Sequence, residues 1–241
     1  MDIETYKKRK QDLENTKPKT REFCITCCQP TFSCYCQHIQ KFDPKIKFCI
    51  LIHPIEQKRR IASGRMAHLC LENSELILGH DYSFNPEIEN ILNNPDYKPY
   101  VLYPGQGSLD ISKPSTEKET LFPASKTPVI FVIDGTWATA RQTMRLSENI
   151  KRLPRICFTP PGPSQFRVRK QPHENCYSTL EAIHHTIELL GNTCSFKNEE
   201  RTHDRLLDVF NQMVERQLSF VREAYDNPKS TSYRRPKKRV A

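Results

Sequence analysis

From Lys47 onward, apolar residues fall into short continuous runs separated by amphipathic stretches. The runs "FCILIH" (48–53), "ELIL" (75–78), "YVLY" (100–103), "VIFVID" (129–134) and "RICFT" (155–159) are bounded by polar segments, and this pattern predicts buried strands. Between them the period lengthens to that of a helix. Residues 57–72, ending in "AHLCLEN", read as one helix and 86–93 as a shorter one. Leu180, Ile183, Ile187 and Leu190 form a stripe with Gly191 as its C-cap, and Leu207, Phe210, Val214, Leu218 and Val221 form a last stripe that Asn227-Pro228 ends. Strands alternating with helices predict an α/β fold, a parallel sheet with helices on both faces. Ligands of such sheets sit at the carboxyl ends of the strands.

The flanks differ in character. Residues 1–22 form a charged extension, read as a short helix followed by the linker "NTKPKTRE". Residues 23–40 hold a cysteine cluster, 41–227 the main α/β domain, and 228–241 a tail too polar to fold alone, predicted to be disordered. The 241 residues are 37% hydrophobic, enough for one sizeable core. No run approaches the ~18 consecutive apolar residues of a membrane span, and "MDIETYKKRK" lacks the apolar core of an export signal. The expectation is therefore a cytoplasmic or nuclear protein, neither secreted nor bound to a membrane. There is no internal repeat, and no G-x-G-x-x-G or Walker loop to support a dinucleotide or nucleoside triphosphate site.

Charge sharpens this picture through its distribution. Of a formal net charge of +9, residues 137–170 carry eight Lys/Arg against one Glu, and 228–241 carry six with no acid. Localised positive surface suits a polyanionic partner, and nucleic acid is favoured over simple solvation because the first basic block begins in the chain's most distinctive motif. The tract "RRPKKR" (234–239) suits targeting, non-specific RNA affinity or solvation equally.

Ten cysteines in a chain without an export signal indicate metal binding or free thiols rather than disulfides. "CITCCQPTFSCYC" spaces Cys24, Cys27, Cys34 and Cys36 as C-x2-C-x6-C-x-C, two close pairs able to surround one tetrahedral zinc. Cys28 is a fifth thiol that competes with Cys27 for the role of ligand. A closed set of four thiolates is structural, stapling a segment too short to bury a core of its own. Cys49, Cys70, Cys157, Cys176 and Cys194 read as inert core residues.

The stretch "FVIDGTWATARQTMR" (131–145) carries the candidate chemistry. Asp134 ends the clearest strand, where its side chain can face a ligand crevice. Gly135 permits a tight turn, and Thr136 suits the N-cap of the next helix. Trp137, the only tryptophan, could stack on a flat ring, while Arg141 and Arg145 share its side of the helix and could reach phosphates. The plain alternative is a capped helix with a core tryptophan.

"CITC…CYC", "LIHPIE" (51–56), "LYPG" (102–105), "DGTW" (134–137), "LPRI" (153–156), "SQFRVRKQP" (164–172) and "STLEA" (178–182) occur in an order and spacing that resemble the DTW-domain family, whose members are similar to tRNA-uridine aminocarboxypropyltransferases. The chain departs from that pattern at Ala62-Ser63, where an Asn-Thr or Asn-Ser pair is usual, and at Phe166, where Tyr is commoner. The resemblance implies a SPOUT-like trefoil knot for the domain 41–227. It also implies transfer of the 3-amino-3-carboxypropyl arm of S-adenosylmethionine to the ring imide nitrogen of a tRNA uridine, with release of methylthioadenosine. In that reading Asp134 is the base and Trp137 holds a ring. Leu102, Pro104, Gly105, Gly107, Gly135, Thr136, Arg169, Ser178 and Glu181 meet the cofactor; Arg141, Arg145, Arg167 and Lys170 meet tRNA; and Cys24, Cys27, Cys34 and Cys36 hold structural zinc. No stable protein partner is implied.

Some residues have simpler readings. Ser178 and Glu181 form a capping box, S-x-x-E, which alone accounts for both. His53, at a strand end near Glu56, reads as structural, and His184 and His185 read as surface or satisfied core residues. Two other functions compete: a SPOUT-like RNA methyltransferase using the same cofactor, and a zinc-bearing RNA-binding module without activity.

Overall fold

The computed structural model describes residues 2–16, 22–57, 59, 61–168 and 176–226. Strands β1 (Lys47–Ile52), β2 (Ser74–Leu78), β3 (Tyr97–Leu102), β4 (Leu109–Asp110), β5 (Thr127–Asp134) and β6 (Arg155–Cys157) form one sheet, in the order β2-β1-β5-β3-β6-β4. Every pairing is parallel. Helices α1 (Ile3–Thr16), α2 (Pro54–Gln57), α3 (Ser63–Cys70), α4 (Pro86–Leu92), α5 (Lys118–Leu121), α6 (Trp137–Leu146), α7 (Glu148–Lys151), α8 (Thr179–Leu190) and α9 (Arg205–Asp226) connect and flank the strands. None of the described helices is long and apolar enough to cross a membrane.

The central strands β1 and β5 carry unbroken apolar runs, Phe48 to Ile52 and Pro128 to Ile133, because both faces of the sheet are covered. In β1, Phe48 and Ile50 point into a core shared with α3, α8 and α9, and Cys49 and Leu51 into a second core with α4, α6 and α7. In β5 the same alternation sends Ile130 and Val132 one way, Val129 and Phe131 the other. A parallel sheet between two layers of helix needs this continuous pattern. Phe166 lies in the first core, edge-on to Phe210 at 5.2 Å, so an apolar ring suits the position better than a phenol would.

The structure corrects two expectations. Within 57–72 the helix covers only Ser63–Cys70, because α2 ends at Gln57 and Ala62 is extended before the chain restarts at Ser63. The loop after "PGQG" contains the two-residue strand β4, too short to leave a periodic signal. Gly191 is the C-cap of α8, as expected, though with right-handed angles, and the chain turns at the left-handed Ser195, φ 65°, after a 3-10 turn. The expected helix in the N-terminal extension is present as α1. The tail 228–241 lies outside the described residues.

Candidate active site and metal centre

The thiols of Cys24, Cys27, Cys34 and Cys36 all lie within 4.8 Å of one another. Cys24 and Cys36 are 3.7 Å apart and Cys27 and Cys34 3.6 Å, close to the ~3.8 Å that separates thiolates at ~2.3 Å from a tetrahedral zinc. The set therefore has the geometry to hold a metal ion. Cys28, exposed in a left-handed conformation, turns its thiol to the Ile25 carbonyl at 3.9 Å, which leaves Cys27 as the member of the set. The backbone N–H groups of Cys27 and Thr26 pull the Cys24 thiol down to about 6, whereas burial pushes those of Cys27 and Cys36 up. A dication would offset that burial cost, since it binds the deprotonated form. His184, His203 and Asp204 also converge, but Arg201 donates to Asp204 and to Glu188, so a cation already neutralises the carboxylates there.

A cavity of about 420 Å³ opens at the carboxyl edge of the sheet. Its walls are the segments that follow β3 (Leu102, Tyr103, Pro104), β5 (Gly135, Thr136, Trp137) and β6 (Cys157, Phe158, Pro160), closed by Cys176–Thr179 and Ala182 at the start of α8. This volume is in the range of small-molecule and cofactor sites, and apolar walls with a few hydroxyls are typical of them. Thr136 caps α6, its side chain accepting from the Thr139 N–H at 3.2 Å. That cap starts the helix at Trp137, whose indole packs edge-on to Tyr103 at 6.5 Å and donates to the Cys176 thiol at 3.4 Å. With 41% of its surface exposed, Trp137 is a wall and not a core residue. Gly135 admits this geometry, because a Cβ there would lie 2.4 Å from Thr139 Oγ1.

Asp134 sits differently from the expectation that it faces the crevice. It is 5% exposed and is not among the residues that line the cavity. Thr179, which does line it, donates from Oγ1 to Asp134 Oδ1 at 2.5 Å. Across from Thr179, a Cβ on Gly64 would lie 2.7 Å from both Asp134 Cγ and Oδ2, so the start of α3 presses directly on the carboxylate. Nothing in the spacing of Gly64 announces this role. Thr179 stands inside "STLEA", between the capping-box residues Ser178 and Glu181, whose pairing alone accounts for that motif.

The remaining predicted residues separate into groups. Leu102, Pro104, Gly135, Thr136 and Ser178 line the cavity. Gly105 (φ 153°) and Gly107 (φ 80°) shape the turn beyond its rim and are not among the lining residues. Glu181 is buried and joins Ser178 in a complete capping box. Its carboxylate also accepts from Ser164 Oγ at 2.9 and 3.0 Å and from the Gln165 N–H at 2.6 Å. That makes it a staple between the loop and α8. Arg141 and Arg145 are exposed on the helix that starts with Trp137. Arg167 pairs with Glu215 on α9. Arg169 and Lys170 lie outside the described residues. Cys157 and Cys176, read as inert, line the cavity. His53 accepts at Nδ1 from the Ile55 N–H at 3.2 Å, and burial lowers its pKa. His184 bonds Asp204 at 2.8 Å, and His185 packs edge-on to Phe158 at 4.8 Å.

The DTW domain family model matches residues 21–218. The chain belongs to the DTW domain family. Similar curated proteins named tRNA-uridine aminocarboxypropyltransferase 2 include that of Drosophila melanogaster, 27% identical over 180 residues, with 72% of this chain and 68% of that protein aligned. Those of Mus musculus and Macaca fascicularis are 24% and 23% identical, and the chain spans only 58% and 57% of their lengths. No solved structure matches the chain.

Proposed function

We propose that this protein transfers the 3-amino-3-carboxypropyl group of S-adenosylmethionine to the ring imide nitrogen of a tRNA uridine, releasing methylthioadenosine. The observation that carries the reading is that Trp137 of the D-x-T-W segment lines a ligand-sized cavity at the carboxyl edge of the sheet, with Asp134 directly behind its wall and bonded to the wall residue Thr179. When bound, S-adenosylmethionine supplies an electrophilic carbon and a neutral thioether leaving group. Asp134 is the base to which the imide proton is delivered, being the carboxylate bonded to a hydroxyl of the cavity wall. Trp137 and Tyr103 offer ring faces to an adenine or a base. The hydroxyls of Thr136, Ser178 and Thr179 orient polar groups, and the apolar walls exclude water that would compete as nucleophile.

Arg141 and Arg145 run from the cavity mouth along α6 and are positioned to meet phosphates, with Arg169, Lys170 and the basic tail as further contacts. Zinc is the metal suited to the four thiolates, in a closed and therefore structural site. The enclosure of the cavity by segments that follow three adjacent strands supports extending the resemblance to the SPOUT class and its trefoil knot. The cytoplasm or nucleus, where tRNA is processed, is the compartment this activity requires. In an assay with S-adenosylmethionine and unmodified tRNA, Asp134→Asn should abolish transfer while tRNA affinity stays within about twofold, since one neutral amide replaces one buried carboxylate. Full activity in that variant would remove Asp134 from the chemistry.

A further inference from the structure

We infer that Thr179 is the catalytic residue through which Asp134 reaches the substrate. This rests on the proposed transfer reaction, and it follows from where the two side chains stand. Asp134 is 5% exposed and lies outside the cavity wall, whereas Thr179 forms part of that wall and holds Asp134 Oδ1 at 2.5 Å. A hydroxyl both donates and accepts, so Thr179 Oγ1 can accept a proton from the cavity side while its own goes to the carboxylate. Gly64 fixes the other side of the carboxylate: any side chain there would meet Asp134 at 2.7 Å. Asp134 is thus held against Thr179 by the start of α3, and Thr179 is presented by the first turn of α8, which the Ser178–Glu181 capping box locks.

The step balances without a further reactant. The imide proton passes to Thr179 Oγ1 as the Thr179 hydroxyl proton passes to Asp134. The nitrogen's electron pair forms the new N–C bond, and the C–S bond breaks with its pair on the sulfur. Asp134 ends protonated, Thr179 regains its hydroxyl, and the leaving thioether is neutral.

The test is a double-mutant cycle read by single-turnover rates with tRNA and S-adenosylmethionine. General base catalysis contributes ~10²–10⁴-fold, so Thr179→Val should lose at least about 100-fold in rate. That loss should match Asp134→Asn, and the double variant should be no slower than either single one, because residues acting as a unit are not additive. Thr179→Ser, which keeps the hydroxyl, should recover to within about tenfold of the parent. Gly64→Ala reaches the same contact from outside the cavity and should lose a comparable factor; it keeps the test decisive if Thr179→Val does not fold. Thr179→Val within about threefold of the parent, additive losses in the cycle, or Thr179→Ser as slow as Thr179→Val would each overturn the inference. Asp134→Asn inactive beside an active Thr179→Val would sink only this coupling, whereas a fully active Asp134→Asn would sink the proposed role of Asp134 in the reaction.

Discussion

Glu181 offers a quantitative check on whether its place three residues after Ser178 serves the fold or the cofactor. Its buried carboxylate accepts from Ser164 Oγ, from the Gln165 N–H at 2.6 Å and from the Ser178 N–H at 2.8 Å. Glu181→Ala removes an acceptor shared by two backbone donors and a hydroxyl. Each donor left unpaired costs about 1–3 kcal/mol, and loss of the cap adds about 1 kcal/mol. Allowing for water reaching the loop side, the sum is roughly 3–5 kcal/mol. In a chain of this size about 1 kcal/mol corresponds to a shift of ~2–4 °C, so thermal unfolding should move down by roughly 6–20 °C. Urea unfolding followed by circular dichroism, beside calorimetry, measures both quantities. Glu181→Gln should fall between parent and Ala, since its amide keeps one acceptor oxygen but brings unwanted donors. A loss below 1 kcal/mol for Glu181→Ala would refute the staple. The predicted cofactor contact would then be the better account of this residue.

Cys27→Ser should lose bound metal in elemental analysis while Cys28→Ser retains it; equal content in the two would contradict the ligand set. Trp137→Ala should raise the KM for S-adenosylmethionine by about 5- to 100-fold, on a stacking worth ~1–3 kcal/mol, with Trp137→Phe less affected; an unchanged KM in both would remove the ring from the site. Arg141→Ala together with Arg145→Ala should lower the slope of log affinity for tRNA against log salt by about 1–2, and an unaltered slope would place the RNA elsewhere. Burial lowers the pKa of His53, His68, His184 and His185, so the unfolded chain binds more protons than the folded one below its ordinary histidine value. Stability from these groups is complete above about pH 6.5 and is lost as pH falls through that value, so unfolding free energy should decline between pH 7.5 and 5.5. A flat profile would contradict this.

The sheet was legible because both its faces are covered: five of six strands left apolar runs, and only the two-residue β4 left none. The thiol set was legible from spacing, but the choice of Cys27 over Cys28 was not, since it depends on a left-handed turn at Cys28. Asp134 and Trp137 were found because a strand end and a helix start meet there. The burial of Asp134 behind Thr179, and the pressure of Gly64 upon it, join segments that are distant in sequence. The pattern of residues along a single sequence carries no trace of such contacts. The contact of the buried Cys176 thiol with the Trp137 indole likewise joins segments that are distant in sequence.

The cavity beside Asp134 and Trp137 is proposed to perform aminocarboxypropyl transfer to uridine. Mass spectrometry of nucleosides from unmodified tRNA, incubated with the purified protein and S-adenosylmethionine, tests it most directly. The expected product is a uridine heavier by one aminocarboxypropyl group, with methylthioadenosine released in equal amount. A methyl-sized gain, or tRNA bound but recovered unmodified, would contradict it.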